Sequence, residues 1–353
     1  MTAILSLVLM AILVYILAVI TDDFFIVSLD KVATQLQMPS DVAGASLMAM
    51  GSSAPELSIA LFAVLLGGEH ADVGIGTIVG SAVFNILVIT GASAFVAGSF
   101  VVNNRSVERD IAAYFISIIL LLIVFWDGTI LMWEAVLLIL AYVVYLLVLW
   151  QWGDSEPKQG ENTPSFKADK EPEKKSLLER INHAIAWVFH FVARDPEKNY
   201  WWALIVSIVA IAGISFILVE AVVVFSAAVG IPPVLVSITL LAAGTSAPDL
   251  IASVNVARDG RGSMAIANAV GSNTFDILIG LGVPWLVIML LGEPNVVVGS
   301  EGLLSSIFVL GTTVILLYGF LYSGRTFSRR EGTLLLIAYV AYVIFEITRA
   351  GGV

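Results

Sequence analysis

Ten apolar runs punctuate this chain, near residues 3–20, 42–66, 73–99, 111–126, 130–150, 201–229, 232–256, 263–291, 302–322 and 332–349, in the order five, a gap, five. A helix of about 20 apolar residues crosses the hydrocarbon core of a bilayer, so the pattern predicts ten transmembrane helices. The gap at 151–200 opens with a polar stretch from Asp154 to Lys175 that mixes Pro, Gly, Asp, Glu and Lys, a composition that cannot bury a core. Beyond it, Ser176 and Glu179 fit a capping box, and Leu177, Ile181, Ile185, Val188 and Val192 recur at helical spacing. An amphipathic helix in the membrane interface is expected there, with no chemistry attached to it. The expected layout is a five-helix unit at 1–150, a linker at 151–200 and a second five-helix unit at 201–353.

Composition supports the membrane reading. Of 353 residues 59% are apolar and 13% charged, and the mean hydropathy is +0.98, more apolar surface than a soluble fold can hide. The first run lacks a basic leader and a small-residue cleavage signal, so it reads as a span and not as a removable signal peptide. Cysteine is absent, which excludes disulfides and thiolate metal sites.

The net charge of −11 matters less than where the cations lie. Lys31, Arg105, Arg109, the eight Lys and Arg of the linker, Arg258, Arg261, Arg325, Arg329 and Arg330 would share one side of a ten-span topology, which is 16 of the 17 basic residues. Positive charge concentrates on the cytoplasmic side of a membrane protein. The linker is therefore expected to be cytoplasmic and both termini outside, in the cell membrane.

The chain also repeats itself. Gly51-Ser-Ser-Ala-Pro-Glu56-Leu57 returns as Gly244-Thr-Ser-Ala-Pro-Asp249-Leu250, and Gly80-Ser-Ala-Val-Phe-Asn85-Ile-Leu87 returns as Gly271-Ser-Asn-Thr-Phe-Asp276-Ile-Leu278. The motif regions run over 44–91 and 237–282. Five spans per half, an odd number, give the second copy the opposite polarity in the membrane. Inverted repeats of this kind place substrate and coupling-ion sites at the midplane between them.

The repeated residues suit hard cations. Proline inside an apolar run removes a backbone donor and breaks the helix, and irregular backbone at membrane depth is tolerated only against protein or a polar cavity. Ser52, Ser53 and Glu56 lie on one face of the helix, and Thr245, Ser246 and Asp249 repeat them. Ser81 with Asn85, and Ser272 with Asp276, face together from the next span. Hydroxyl, carboxylate and amide oxygen with no nitrogen or sulfur ligand matches Na⁺ and Ca²⁺ and does not match zinc or copper. An intramembrane carboxylate is costly and functional by default, which singles out Glu56, Asp249 and Asp276. Asn85 has the alternative of bonding a neighbouring helix, and the hydroxyls that of bonding back to their own helix. Asp22, Asp23, Glu134, Glu220 and Glu346 read as solvated charges near span ends, with Glu220 deep enough to line an access path. His70, His183 and His190 carry no metal or acid–base role.

These motifs resemble those of the cation/calcium exchanger superfamily. Gly-Thr-Ile-Val-Gly-Ser-Ala-Val-Phe-Asn-Ile-Leu (76–87) and Ala-Ala-Gly-Thr-Ser-Ala-Pro-Asp-Leu-Ile (242–251) are most similar to the potassium-dependent sodium/calcium exchanger branch. The resemblance implies an all-α polytopic membrane protein whose two inverted repeats exchange Na⁺ for Ca²⁺ by alternating access. It maps the calcium-coordinating acids onto Glu56 and Asp249, and completes sodium sites with the Ala49 and Ala242 carbonyls and with Ser52, Ser53, Ser81, Thr245, Ser246 and Ser272. Asn85 and Asp276 take flanking positions, and an acid at Asp276 is what the resemblance links to co-transport of K⁺. The long cytoplasmic sensor loop of animal sodium/calcium exchangers is missing from this sequence.

The more distant calcium/proton branch of the same superfamily leaves a Ca²⁺/H⁺ exchanger as the alternative, and the residues themselves also allow a cation channel, since oxygen-lined sites also build selectivity filters, and an intramembrane metalloenzyme. The last lacks a His-rich span or a nucleophile with a paired base. The expectation is a transporter and not an enzyme, with no cofactor, whose partners are inorganic cations and the lipid bilayer and not nucleic acid.

Overall fold

A computed structural model of the chain describes residues 1–38, 47, 49–101, 104–152, 177–298, 301–324 and 326–350. The Asp154 to Lys175 stretch, Ser176, residues 44–46 and residue 48 lie outside the described residues, as does the Glu179 side chain. The fold is helical apart from two short strand pairs. Among the described residues seven helices are long and apolar enough to cross a membrane, or eight if one bent pair counts as a single span.

Helix α1 runs unbroken over Thr2–Gln35, well past the apolar run, because Thr21–Ile26 widens into a π-helical turn instead of ending the helix. Apolar run 42–66 is interrupted, giving α2 (Ala49–Ser52) and α3 (Ala54–Leu66). Then come α4 (Gly68–Ala97), α5 (Asn104–Val124) and α6 (Met132–Trp152). The expected amphipathic helix is α7 (Leu177–Ala193), which leaves Trp187, Phe191 and Val192 exposed. The second half comprises α8 (Tyr200–Val229), the bent pair α9 (Pro233–Thr245) and α10 (Ala247–Arg258), α11 (Gly262–Leu290), α12 (Glu301–Gly324) and α13 (Arg329–Ala350).

Two apolar clusters hold these elements. Leu17 of α1, Ile59 of α3 and Leu218 and Val222 of α8 belong to one. Ile78, Tyr114, Leu138, Trp285, Leu310 and Leu335 knit α4, α5, α6, α11, α12 and α13 into the other. Lipid is as apolar as leucine, so membrane helices associate through close packing and small residues. Gly80 shows how close: a Cβ there would lie 2.3 Å from the carbonyl oxygen of Ile238, so α4 of the first half rests on the backbone of α9 in the second.

The strand pairs also join the halves. β1 (Ser99–Val101) runs antiparallel to β4 (Thr326–Ser328), with Phe100 opposite Phe327, and β2 (Thr129–Ile130) to β3 (Val296–Val297). Each half lends one strand to each pair. Gly262 fits against the Phe100 ring, so the α10–α11 turn that follows Arg258 adjoins the β1–β4 pair, and Arg329 and Arg330 follow directly on β4.

Two acids differ from their expected place. Glu346 is fully buried, accepting a 2.7 Å hydrogen bond from Ser306 and pairing with Arg349 at 2.7 Å. Glu134 is buried and caps the Leu131 amide at 2.7 Å. Both lie inside the packing and are not solvated, since each has a donor that replaces water, and Glu346 has a cation besides.

Candidate cation site

The breaks fall at Ser53 (φ −94°, ψ 6°) and Ser246 (φ −85°, ψ −1°), and Pro55 and Pro248 stand in the first turns of α3 and α10. Proline is tolerated there because the first amides of a helix have no partner in it. The proline therefore starts a second half-helix, and α9 and α10 meet at 46°. Glu56 and Asp249 lie in the first turns of α3 and α10, while α2 and α9 end beside them with the partly negative carbonyl poles of their backbones. Half-helix carbonyl ends of this kind coordinate cations in transporters.

The Ala49 and Ala242 carbonyls are engaged. Ala49 accepts the Ser53 amide at 3.0 Å and the Ser52 hydroxyl at 3.4 Å, and Ala242 accepts the Ser246 amide at 3.1 Å and the Thr245 hydroxyl at 3.3 Å. Both hydroxyl bonds are long, so each hydroxyl can turn its oxygen elsewhere at small cost.

Polar contacts cross between the halves. The Ser81 and Ser246 hydroxyls are 2.8 Å apart. Thr245 hydrogen-bonds Glu56, and Ser53 hydrogen-bonds Asp276. The Asn85 amide donates to Ser272 at 3.3 Å and to Asn273 at 2.8 Å. Asn273 in turn donates to the Ala82 carbonyl and to the Tyr114 hydroxyl, both at 3.0 Å. Position 273 is the repeat counterpart of 82, so the two copies meet at matching positions.

Burial sharpens the picture. Glu56, Asn85 and Asp276 are 3%, 1% and 1% exposed. One oxygen of each, Glu56 Oε2, Asn85 Oδ1 and Asp276 Oδ1, is buried with no hydrogen-bond donor. Buried acceptors are nearly always satisfied, and oxygens left without a donor, two of them on acids whose charges interact, suit a dehydrated cation. Asp249 is half-buried and sits close enough to Glu56 and Asp276 for the charges to repel. Among the described residues no three His, Cys, Asp or Glu side chains close into a single cage, so the three acids do not converge on one point, and hydroxyl and amide oxygens fill out the cluster.

The sequence reading passes over Asn273 and Tyr114, which hold the Asn85 side chain in place. The signal for Asn273 is its mismatch with Ala82 inside an otherwise repeated motif; Tyr114 carries none. It also passes over Thr21, and it reads Asp22 as a solvated charge near a span end. Both line a narrow cleft with Ser52, Pro55, Thr245 and Asp249, next to a cavity of about 500 Å³ between α1, Asn182 of α7 and residues 240–251.

Comparison with known proteins places this arrangement. Human sodium/potassium/calcium exchanger 4 is 28% identical over 494 residues, covering 94% of this chain and 79% of the relative. Human sodium/potassium/calcium exchanger 5 is 29% identical over 404 residues, covering 94% and 80%. In fold, the sodium-calcium exchanger NCX_Mj matches with TM-score 0.58 at 23% identity, over 97% of this chain and 99% of that one. The H⁺/Ca²⁺ exchanger CAX matches with TM-score 0.68 at 13% identity, over 97% and 82%. This is a multi-pass membrane protein. With both halves matched, over residues 6–151 and 199–348, the chain belongs to the sodium/calcium exchanger protein family.

Proposed function

We propose that the chain is a secondary active antiporter that exchanges Na⁺ for Ca²⁺ by alternating access and carries K⁺ with Ca²⁺, changing no covalent bond and using no cofactor. The observation that carries this reading is the set of three buried, donorless oxygens on Glu56, Asn85 and Asp276, beside two helices broken at matching positions. Ten helices in two inverted halves, 1–150 and 201–353, fit the contact of Asn273 with Ala82 and the exchanged strand pairs. The linker at 151–200 is cytoplasmic and both termini are outside, in keeping with the basic residues next to the β1–β4 pair.

In this mechanism Ca²⁺ bridges Glu56 and Asp249, while Na⁺ ions share the same carboxylates with the oxygens of Ser52, Ser53, Ser81, Thr245, Ser246 and Ser272 and the Ala49 and Ala242 carbonyls. Asn85 and Asp276 flank them. Empty, the site holds like charges in a low-dielectric setting and resists occlusion. Loaded, it is nearly neutral and free to move. That difference blocks return of the empty carrier and makes transport an exchange.

The test is ⁴⁵Ca²⁺ uptake into vesicles with Na⁺, K⁺ and pH gradients imposed separately. Uptake driven by an outward Na⁺ gradient is expected. Uptake driven by a pH gradient alone would replace the reading with Ca²⁺/H⁺ exchange, and flux without any counter-ion would replace it with a channel.

A further inference from the structure

The wide cavity and the central carboxylates meet at a cleft that the central site does not explain. Its lining includes Thr21 and Asp22 from α1, Ser52 from the end of α2, Thr245 from the end of α9 and Asp249 from α10. The space open to a water-sized sphere is about 10 Å³, close to the least that admits one water or one bare ion. Asp22 also lines the 500 Å³ cavity, as do Val14, Ala18 and Pro248, so the two spaces share a wall.

Thr21 is the informative residue. Other hydroxyls on the same helix bond back to their own backbone: Ser28 to Phe24 at 2.7 Å and Thr34 to Asp30 at 2.9 Å, a common fate of Ser and Thr in apolar helices. Thr21 is 3% exposed, yet its hydroxyl oxygen has no hydrogen-bond partner. It opens the π-helical turn Thr21–Ile26, a local widening often found at functional sites. Beside it Asp22, an exposed residue, lies near enough to Asp249 for the two charges to repel, and both acids line the cleft with Thr21.

We propose that Thr21 and Asp22, with Ser52, Thr245 and Asp249, form a staging site for a hard cation, Na⁺ or Ca²⁺, between the wide cavity and the central site. Every side-chain ligand offered is oxygen, which selects those ions over softer metals. The cation loses part of its water here and gains two carboxylates. Asp249 belongs to both positions, so an ion passes inward by exchanging Asp22 for Glu56 while staying bound to Asp249. The two positions compete for that carboxylate and are filled one at a time. The site rests on the antiport reading for its purpose, though not for its ligands.

The test uses the purified full chain in detergent and ⁴⁵Ca²⁺ as the probe. Glu56→Gln weakens the central site, keeps a side-chain oxygen to accept the Thr245 hydroxyl and alters none of the five staging residues themselves, and this chain should keep a weak Ca²⁺-binding step that Na⁺ displaces. Adding Asp22→Asn should abolish that step and adding Thr21→Val should weaken it severalfold, whereas adding Asp23→Asn, which lines only the wide cavity, should leave it. Identical binding with and without Asp22→Asn overturns the proposal. In vesicles, Asp22→Asn alone should raise the Ca²⁺ concentration for half-maximal uptake by about five- to tenfold and keep the saturating rate; a lost rate at unchanged half-saturation would make Asp22 a packing residue and overturn it. Asp22-dependent binding in a chain without Na⁺-driven uptake upholds the staging site and sinks the antiport reading. Na⁺-driven uptake without Asp22-dependent binding does the reverse.

Discussion

The hydroxyls of Ser81 and Ser246 meet at 2.8 Å across the boundary between the two halves of the chain, both fully buried. Neither has water to fall back on, so Ser81→Ala or Ser246→Ala alone leaves the other hydroxyl short of a partner. Each single change should destabilise the protein more than its share of the pair. Double-mutant cycles within membranes average about 0.6 kcal/mol and reach about 1.7 kcal/mol, and a coupling in that range is expected from thermal unfolding in detergent. Strictly additive losses would mean that the two hydroxyls do not support each other.

Glu56→Gln and Asp249→Asn keep shape and remove charge. Each should lower Na⁺-driven Ca²⁺ uptake by more than the about 10–100-fold typical of losing an outer-shell partner, with normal membrane insertion and a monodisperse elution profile. Near-normal uptake by either variant would remove these acids from the transport site.

Gly80 has no room for a side chain. Its Cβ would lie 2.3 Å from the Ile238 carbonyl oxygen and 2.6 Å from the Ile238 Cα, both backbone atoms of the opposite half. Gly80→Ala should therefore push the halves apart and cost several kcal/mol. Gly213→Ala in α8 meets nothing within 4 Å and should stabilise by about 0.5–1 kcal/mol through helix propensity. Parallel melting curves of the two variants decide the matter.

Potassium follows from charge counting. With Glu56, Asp249 and Asp276 ionised the site carries −3, and one Ca²⁺ leaves −1 where an unpaired charge is costly; one K⁺ cancels it, as would a proton on Asp276. Na⁺-driven Ca²⁺ uptake should rise with K⁺ on the Ca²⁺ side, and Asp276→Asn should erase that dependence while keeping some exchange. Equal wild-type uptake in K⁺ and in choline would instead favour the proton.

The helix breaks were legible in the sequence because proline acts locally: Pro55 and Pro248 fix where a helix can restart, whatever surrounds them. The repeat was legible for a similar reason, since Gly51 and Gly244, or Gly80 and Gly271, sit in nearly identical strings. What stayed hidden depends on contacts distant in sequence. Tyr114 looks like any aromatic residue of an apolar helix until Asn273 reaches it at 3.0 Å. Asp22 and Asp23 look alike at the end of an apolar run, and only the turn of α1 past Thr21 sets one of them beside Asp249. Glu346 looks solvated near the end of its run, and only the neighbouring α12 supplies Ser306.

The strand pairs bear on covalent continuity. Phe100 opposite Phe327 and Thr129 opposite Val297 stitch the first half to the second by main-chain hydrogen bonds, independently of the peptide that runs between 152 and 177. A break in that peptide leaves these main-chain bonds in place. Two separately synthesised pieces, ending and beginning within 153–176, should find each other in the membrane and be recovered together as one particle.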